Sequence, residues 1–286
     1  MAHSEEATGA PLPDLEHVAR TELGETAETK EKCLSELREL IKADSSLDWP
    51  TDEKFLVKYL RVRKYNVKLA FEAINKYFRV RKNSPEFFKN LTPSNACYET
   101  AILENHLVMI SKQRDPHGRA VAMMKLGAWN TDICSITDLI RAALVMAEWT
   151  LLDEETQIRG VAGVFDLKGL TLHHLAYLTP FLLRKLAYIV QDCYPVRLKA
   201  VYVTNHPPIY KVLFNALKPF LKSKLLQRIQ FLGSDPRAFH GLLPPDCIPA
   251  EFGGTHEDFD YHSQHKDVQS TSGYFEYVNR FGFRRK

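Results

Sequence analysis

Residues 199–233 read KAVYVTNHPPIYKVLFNALKPFLKSKLLQRIQFLG. A strand-like apolar run, Ala200 to Thr204, meets Asn205, His206 and the pair Pro207-Pro208. A helix follows, with Ile209, Val212, Leu213, Ala216 and Leu217 at the i, i+3, i+4, i+7, i+8 spacing of one wide apolar face. Pro219 ends it, the basic residues Lys218, Lys222, Lys224 and Arg228 come next, and a second apolar strand closes the unit. Nothing in the stretch has the chemistry of a nucleophile or a metal ligand. An apolar helix between two strands, with lysines at one end, suits a cover over an apolar cavity that meets an anionic surface.

At 286 residues the chain is long enough to bury a sizeable core, divided between one main domain and a smaller one. A net charge of +3 is too small to imply nucleic acid as a partner, but its distribution is uneven. Residues 1–31 carry eight acidic and two basic side chains, whereas Lys54 to Lys82 carry ten basic ones against the single Glu72. Cys33, Cys97, Cys134, Cys193 and Cys247 are widely spaced, odd in number and without a CxxC pair, which fits reduced thiols in the cytoplasm. The N-terminus lacks the apolar core of a secretory signal. No run reaches the roughly 18 apolar residues of a membrane span. The expectation is a soluble cytoplasmic monomer whose membrane contact is peripheral and transient.

Working outward, residues 1–27 read as a mobile acidic lead-in without periodicity. Residues 28–92 read as a three-helix bundle, with Leu34, Leu37, Leu40 and Ile41 on one face of the first helix. Thr51-Asp52-Glu53 provides an N-cap for the second, and the third, from Val67 to about Lys82, turns Leu69, Ala70, Ala73, Ile74, Tyr77 and Phe78 inward. From about residue 93 to 256 strands alternate with helices. Leu107–Ser111 and Ala120–Lys125 flank a turn at Asp115-Pro116-His117-Gly118. A helix over Ser135–Leu152, a strand at Val161–Asp166 and helices near Thr171–Tyr177 and Pro180–Asp192 lead back to the opening unit. This order predicts an α/β domain with a mostly parallel sheet. Residues 257–286 read as a polar tail with an aromatic and basic end.

Specific chemistries are largely excluded. The chain has no GxSxG, no GxxxxGK[ST] and no GxGxxG opening a helix. His173-His174 follows a strand end, but neighbouring histidines on a helix point to different faces, and no ligand spacing completes a metal set. They read as helix-surface residues. No metal, cofactor or catalytic group is assigned. The basic residues carry more weight as a cluster than singly. Lys224 and Arg228 lie one helical turn apart, Arg197 and Lys199 stand just before the strand, and Arg61 and Arg63 join them if the bundle packs nearby. Such a cluster attracts anionic headgroups at about 1 kcal/mol per residue.

Asp166-Leu167-Lys168-Gly169, Gln191 to Lys199 (QDCYPVRLK), Asn205-His206-Pro207, Lys218-Pro219-Phe220-Leu221, and the segment from Leu243-Pro244 to Glu251-Phe252-Gly253-Gly254 resemble the successive signatures of the CRAL-TRIO lipid-binding family. FLVKYLRVRK, residues 55–64, is similar to the family's N-terminal helical module. The resemblance runs from about Glu28 to Thr255. Within the family it leans to the branch of alpha-tocopherol transfer protein and cellular retinaldehyde-binding protein, through Glu155-Thr156-Gln157 and KPFLKSKLL at 218–226. It implies an α/β lipid cage behind an N-terminal three-helix bundle, with a mobile gate helix opening at Pro208.

The implied function is an intracellular carrier of a hydrophobic small molecule (a tocopherol, retinoid or other isoprenoid-like lipid), moved between membranes without catalysis. Carried over position by position, the pocket wall takes Ile140, Ala143, Leu144 and Ala147 from the long helix, and Val161 and Phe165 from the strand. Leu178, Leu186, Ile189, Val190, Tyr194, Val196 and Val201 complete it, and Ile209, Leu213 and Ala216 form the gate. The phosphoinositide-binding positions are Arg197, Lys199, Lys224 and Arg228, with Arg61 or Arg63 from the bundle. Where relatives place serines, a tyrosine and a glutamate as polar anchors, this chain has Ala143, Ala147 and Phe165; Lys185 matches a pocket lysine. The implied cavity selects by shape more than by hydrogen bonds. A phospholipid sensor that keeps its cargo, and an enzyme on the same scaffold, are the alternatives.

Overall fold

Short runs rich in Val, Ala and Met, separated by helix-length segments, assemble into one sheet in a computed structural model that describes residues 12–94, 99–255 and 259–283. Cys97 and the basic end at 284–286 lie outside the described residues. Five strands stand in the order β2 (Val108–Ile110), β3 (Ala120–Lys125), β4 (Val161–Asp166), β5 (Leu198–Thr204), β6 (Ile229–Gly233). The pair β2–β3 is antiparallel and the other three pairings are parallel. The turn joining β2 to β3 is held by Asp115, whose Oδ1 accepts the His117 and Arg119 amides at 3.0 and 2.8 Å while Gly118 takes φ +71°. Side chains alternate along each strand. Ala162, Val164, Ala200 and Tyr202 therefore join the main core, while Phe165, Val201 and Val203 join a second, smaller cluster.

The N-terminal helices form where capping and periodicity place them. Helices α2 (Ala27–Ala43), α3 (Glu53–Val62) and α4 (Val67–Asn83) start on Thr26, Asp52 and Asn66, each accepting an amide of the first turn at 3.0 to 3.1 Å. Phe55, Leu56, Tyr59, Leu60, Ala70, Ala73, Ile74, Tyr77 and Phe78 are buried as expected. Two positions depart from the reading. Leu69 is 47% exposed, because the inward stripe of α4 runs through Ala70, Ala73, Ile74 and Tyr77 and Leu69 falls beside it. Leu40 is likewise on the rim.

Among the described residues, the segments near both ends of the chain are more ordered than composition suggests. Asp14 caps a short helix α1 (Leu15–Val18), which runs into a π-helical turn over Ala19–Leu23 closed by Gly24 at φ +72°. Val18, Ala19 and Leu23 are buried, so the described part of the acidic lead-in is docked rather than free. At the other end, helices α13 (Tyr261–Ser270) and α14 (Ser272–Asn279) replace the expected tail. Gln264 there bonds both the amide and the carbonyl of Ile110, covering the exposed edge of β2. Gly282–Phe283 (β7) pairs antiparallel with Leu47–Asp48 (β1), so the last described residues fold back on the bundle.

The bundle meets the sheet domain through a buried polar knot. Glu148, on the long helix α6 (Ile136–Thr150), accepts the Tyr77 hydroxyl at 2.6 Å and the Tyr274 hydroxyl at 3.0 Å. Lys58 Nζ lies 3.9 Å from the same carboxylate and donates to the Tyr274 oxygen. Burial pushes the Tyr77 and Tyr274 hydroxyls well up, which keeps them protonated donors. Among the described residues, no helix is long and apolar enough to cross a membrane.

Candidate functional site

The opening stretch folds as the crossover between the last two parallel strands. Asn205, at φ +50°, turns the chain out of β5, and its side-chain amide donates to Asp166 Oδ1 at 3.0 Å. After Pro207-Pro208 comes α10 (Tyr210–Leu217), which contains Val212, Leu213, Phe214, Ala216 and Leu217 and buries none of its residues. Val212 is 58% exposed. Ile209, Tyr210 and Leu213 rest, half-buried, on the cluster that holds Val201, Val203, Phe165 and Phe231. The far end of the helix is clasped rather than packed. Gln191 donates to the Phe220 carbonyl at 3.0 Å and accepts the Lys222 amide at 2.7 Å, and Lys222 pairs with Asp192. Thus α10 is an apolar surface helix tied at both ends and loosely seated in the middle.

The structure divides the expected wall between two apolar clusters. Phe165 and Val201 meet Ile209 and Leu213, two of the expected gate residues, on one side of the sheet. Ile140, Leu144, Ile189 and Tyr194 lie in the main core, with Ala143, Ala147, Leu186 and Val196 half-buried at its border. Val161 and Leu178 are buried outside both groups, and Ala216 is half-buried on α10. Val190 is 38% exposed, in the π-helical turn Ile189–Cys193 that follows α9 (Pro180–Tyr188). Lys185 is engaged elsewhere, with its ammonium on Glu86 at 2.7 Å and over the Phe87 and Phe181 rings. An open cleft of about 340 Å³ near Arg114, Trp149, Asp153 and Gln264 is lined by none of the expected wall residues.

The histidine pair separates in role. His173 is exposed and bonds Thr131 at 2.7 Å, whereas His174 is buried, bonds the Trp129 carbonyl at 2.8 Å and closes the cap of α8 (Leu172–Tyr177). The surface reading therefore holds for His173 and fails for His174. A histidine three residues after Thr171 returns to cap its own helix start.

Three of the expected headgroup cations converge. Arg197 and Lys199 both reach Glu22 Oε2 at 2.6 Å, and Arg228 donates to the Leu198 carbonyl between them. Burial, and then the charge of Arg197, lower the pKa of Arg228. Lys199 is lowered by burial despite its bond to Glu22, with Arg197 and Arg228 adding to the effect. Lys224, on the single-turn helix α11 (Ser223–Leu226), is exposed, and the chain is still turning at Arg228, whose amide bonds the Leu225 carbonyl. Arg63 is half-buried and donates to the Asp192 carbonyl at 3.2 Å.

Arg61 stands apart from a headgroup role in this conformation. It is 3% exposed and held by Glu25 at 2.7 Å, by Glu154 at 2.5 Å and by Gln157 at 2.7 Å. Sequence reasoning does not pick out Glu22 and Glu25 as partners of the basic residues. Their signal is the excess of acid at residues 1–31 opposite the excess of base later in the chain. Gln191 belongs to one of the family-like motifs, but its hold on the segment that follows α10 emerges only in the folded chain.

Comparison with known proteins places this geometry. A CRAL/TRIO domain model matches residues 104–254, and a Pinta-like UBA domain model matches residues 26–97. The human protein "Alpha-tocopherol transfer protein-like" is 34% identical over 86% of this chain and 72% of its own length. Clavesin-1 of Xenopus laevis is 31% identical over 87% of this chain and 75% of its own length. The crystal structure of Sfh5 superposes with a TM-score of 0.60 over 90% of this chain and 97% of that one, at 12% identity, and so shares the fold. With the domain match spanning the whole five-stranded sheet and α10, and relatives aligned over most of both chains, this protein belongs to the CRAL/TRIO domain family.

Proposed function

We propose that the protein is an intracellular carrier that encloses one hydrophobic small molecule and exchanges it at phosphoinositide-bearing membranes. The observation that carries this reading is α10. A helix with five apolar residues and no buried one, seated on an apolar sheet face, is poorly explained as core packing. It is well explained as a lid that trades contacts with its own domain for contacts with lipid. Phe181 on the neighbouring α9 is 73% exposed and Leu172 on α8 is 72% exposed, which adds apolar surface to elements beside the gate. Family membership and the tocopherol-transfer name of a relative support the same direction.

In this account Phe165, Val201, Ile209 and Leu213 line the gate side of the cavity, and Ile140, Ala143, Leu144, Ala147, Leu186, Ile189, Tyr194 and Val196 its helical side. Ala143 and Ala147, four apart on α6, leave the α6 part of that wall without hydroxyls and favour an isoprenoid-like ligand chosen by shape. Enclosing such a chain gains about 25 cal/mol per Å² of apolar surface removed from water. Arg197, Lys199, Lys224 and Arg228 dock the protein on phosphoinositide headgroups, Arg63 joins them from the bundle, and Arg61 serves as a structural tie. The protein acts as a monomer, peripheral to the membrane, and catalyses no reaction. Native mass spectrometry of the purified protein is expected to find one hydrophobic small molecule per chain, released by organic extraction. A protein that purifies empty, and takes up none of a panel of tocopherols, retinoids and other isoprenoids, contradicts the carrier reading.

A further inference from the structure

The acidic N-terminal segment bears on three of the six cations expected to meet headgroups. Glu22 joins Arg197 and Lys199, and three residues later Glu25 holds Arg61. The segment is brought there by the π-helical turn over Ala19–Leu23 and by Arg159, which donates to the Pro13 carbonyl at 2.7 Å. The site under Glu22 has more positive charge than one carboxylate neutralises, with Arg197, Lys199 and Arg228 gathered around the Leu198 carbonyl and Gly160. Arg197 Nη1 is buried and, among the described residues, without a hydrogen-bond partner, on a side chain only 10% exposed. A buried donor left open in a cation cluster asks for a ligand with more acceptor oxygens than a carboxylate has.

Burial works to raise the Glu22 carboxyl, but the hydrogen bonds and charges of Lys199 and Arg197 outweigh it and hold the group below its ordinary range. Glu22 is therefore ionised at neutral pH. Its side chain is still 43% exposed, so the contact is of the weak, displaceable kind.

We propose that the N-terminal segment is a built-in competitor for the headgroup site, in which the Glu22 carboxylate occupies Arg197 and Lys199 until a phosphoinositide headgroup displaces it. The inference rests on the reading of these cations as the membrane contact. Competition of this kind sets a threshold. A single phosphate of a dilute anionic lipid competes poorly with a tethered carboxylate, whereas a bisphosphorylated headgroup brings more charge and can also reach Arg228 and the open nitrogen of Arg197.

The test measures binding of the full chain to phosphatidylcholine vesicles carrying phosphatidylinositol bisphosphate. Glu22→Gln is expected to bind roughly two- to fivefold more tightly than the unaltered protein, as expected for removing an exposed competing ion pair. Glu16→Gln makes the same change in net charge on the same segment, but Glu16 pairs with Arg20, away from the cluster, and its affinity is expected to stay at the starting value. Lys199→Gln reports on the site itself and is expected to lose affinity. Glu22→Gln binding no more tightly while Lys199→Gln binds less overturns the competitor and leaves the docking site standing. Equal gains for Glu22→Gln and Glu16→Gln reduce the effect to net charge and also overturn it. If neither Glu22→Gln nor Lys199→Gln changes affinity, both the competitor and the docking site fall.

Discussion

Replacing Glu148 by alanine is expected to lower the unfolding free energy by about 3–5 kcal/mol, the largest stability loss we anticipate from a single substitution. The carboxylate is 3% exposed and is the acceptor for Tyr77 from the bundle and Tyr274 from the C-terminal helix, with the fully buried Lys58 ammonium beside it. Burial pushes the Lys58 pKa down, and the Glu148 charge works against that shift. Taking the carboxylate away leaves an ammonium and two hydroxyls short of an acceptor in a dry interior. The packing of the one missing methylene is the minor part of the cost. Glu148→Gln keeps an acceptor in place and should lose less. The pair Lys58→Met with Glu148→Leu should recover most of the loss, since the stranded charge is then gone. Urea unfolding checks the series through shifts in midpoint at constant slope. An alanine variant as stable as the starting protein would show that the knot does not hold the bundle to the sheet domain.

Exchanging Lys199, Lys224 and Arg228 together for glutamine is expected to weaken binding to phosphoinositide vesicles on the order of a hundredfold. This follows from about 1 kcal/mol for each basic residue held near an anionic surface. Lys224 is exposed and Lys199 and Arg228 are partly so, and the bonds lost, Lys199 to Glu22 and Arg228 to the Leu198 carbonyl, lie at this partly exposed surface, so the fold should survive the exchange. Affinity for the hydrophobic ligand should be unchanged, because none of the three is among the expected wall residues. The effect should shrink at high salt, as exposed charges are screened. Vesicle sedimentation at two salt concentrations separates this from damage to the fold, which would weaken binding equally at both.

The sheet and the helix α10 were largely legible in the sequence because their signals are local. Short apolar runs bounded by turns set β3 and β4 to the residue, and the i, i+3, i+4 spacing with Pro207-Pro208 and Pro219 on either side bounded α10. The docked ends were not legible, because their order comes from partners far along the chain. Leu15 to Leu23 has too few turns to show a period, and Glu22 and Glu25 find their arginines more than 30 residues away. The same holds at the C-terminus, where Tyr274 reaches Lys58 and Glu148. Arg61 shows the converse limit. Its position in a basic run looks like a surface feature, yet Glu25, Glu154 and Gln157 make it one of the most buried charges of the molecule. His174 differs from His173 only by which side of one short helix faces Trp129.

Transfer of a fluorescent tocopherol or retinoid from loaded protein to acceptor vesicles tests the central claim most directly. The carrier account predicts rapid unloading into vesicles that contain phosphatidylinositol bisphosphate and slow unloading into neutral ones, with the Lys199, Lys224 and Arg228 triple variant slow on both. Ligand retained at the same rate whatever the acceptor would contradict it, and would leave a protein that holds its lipid without delivering it.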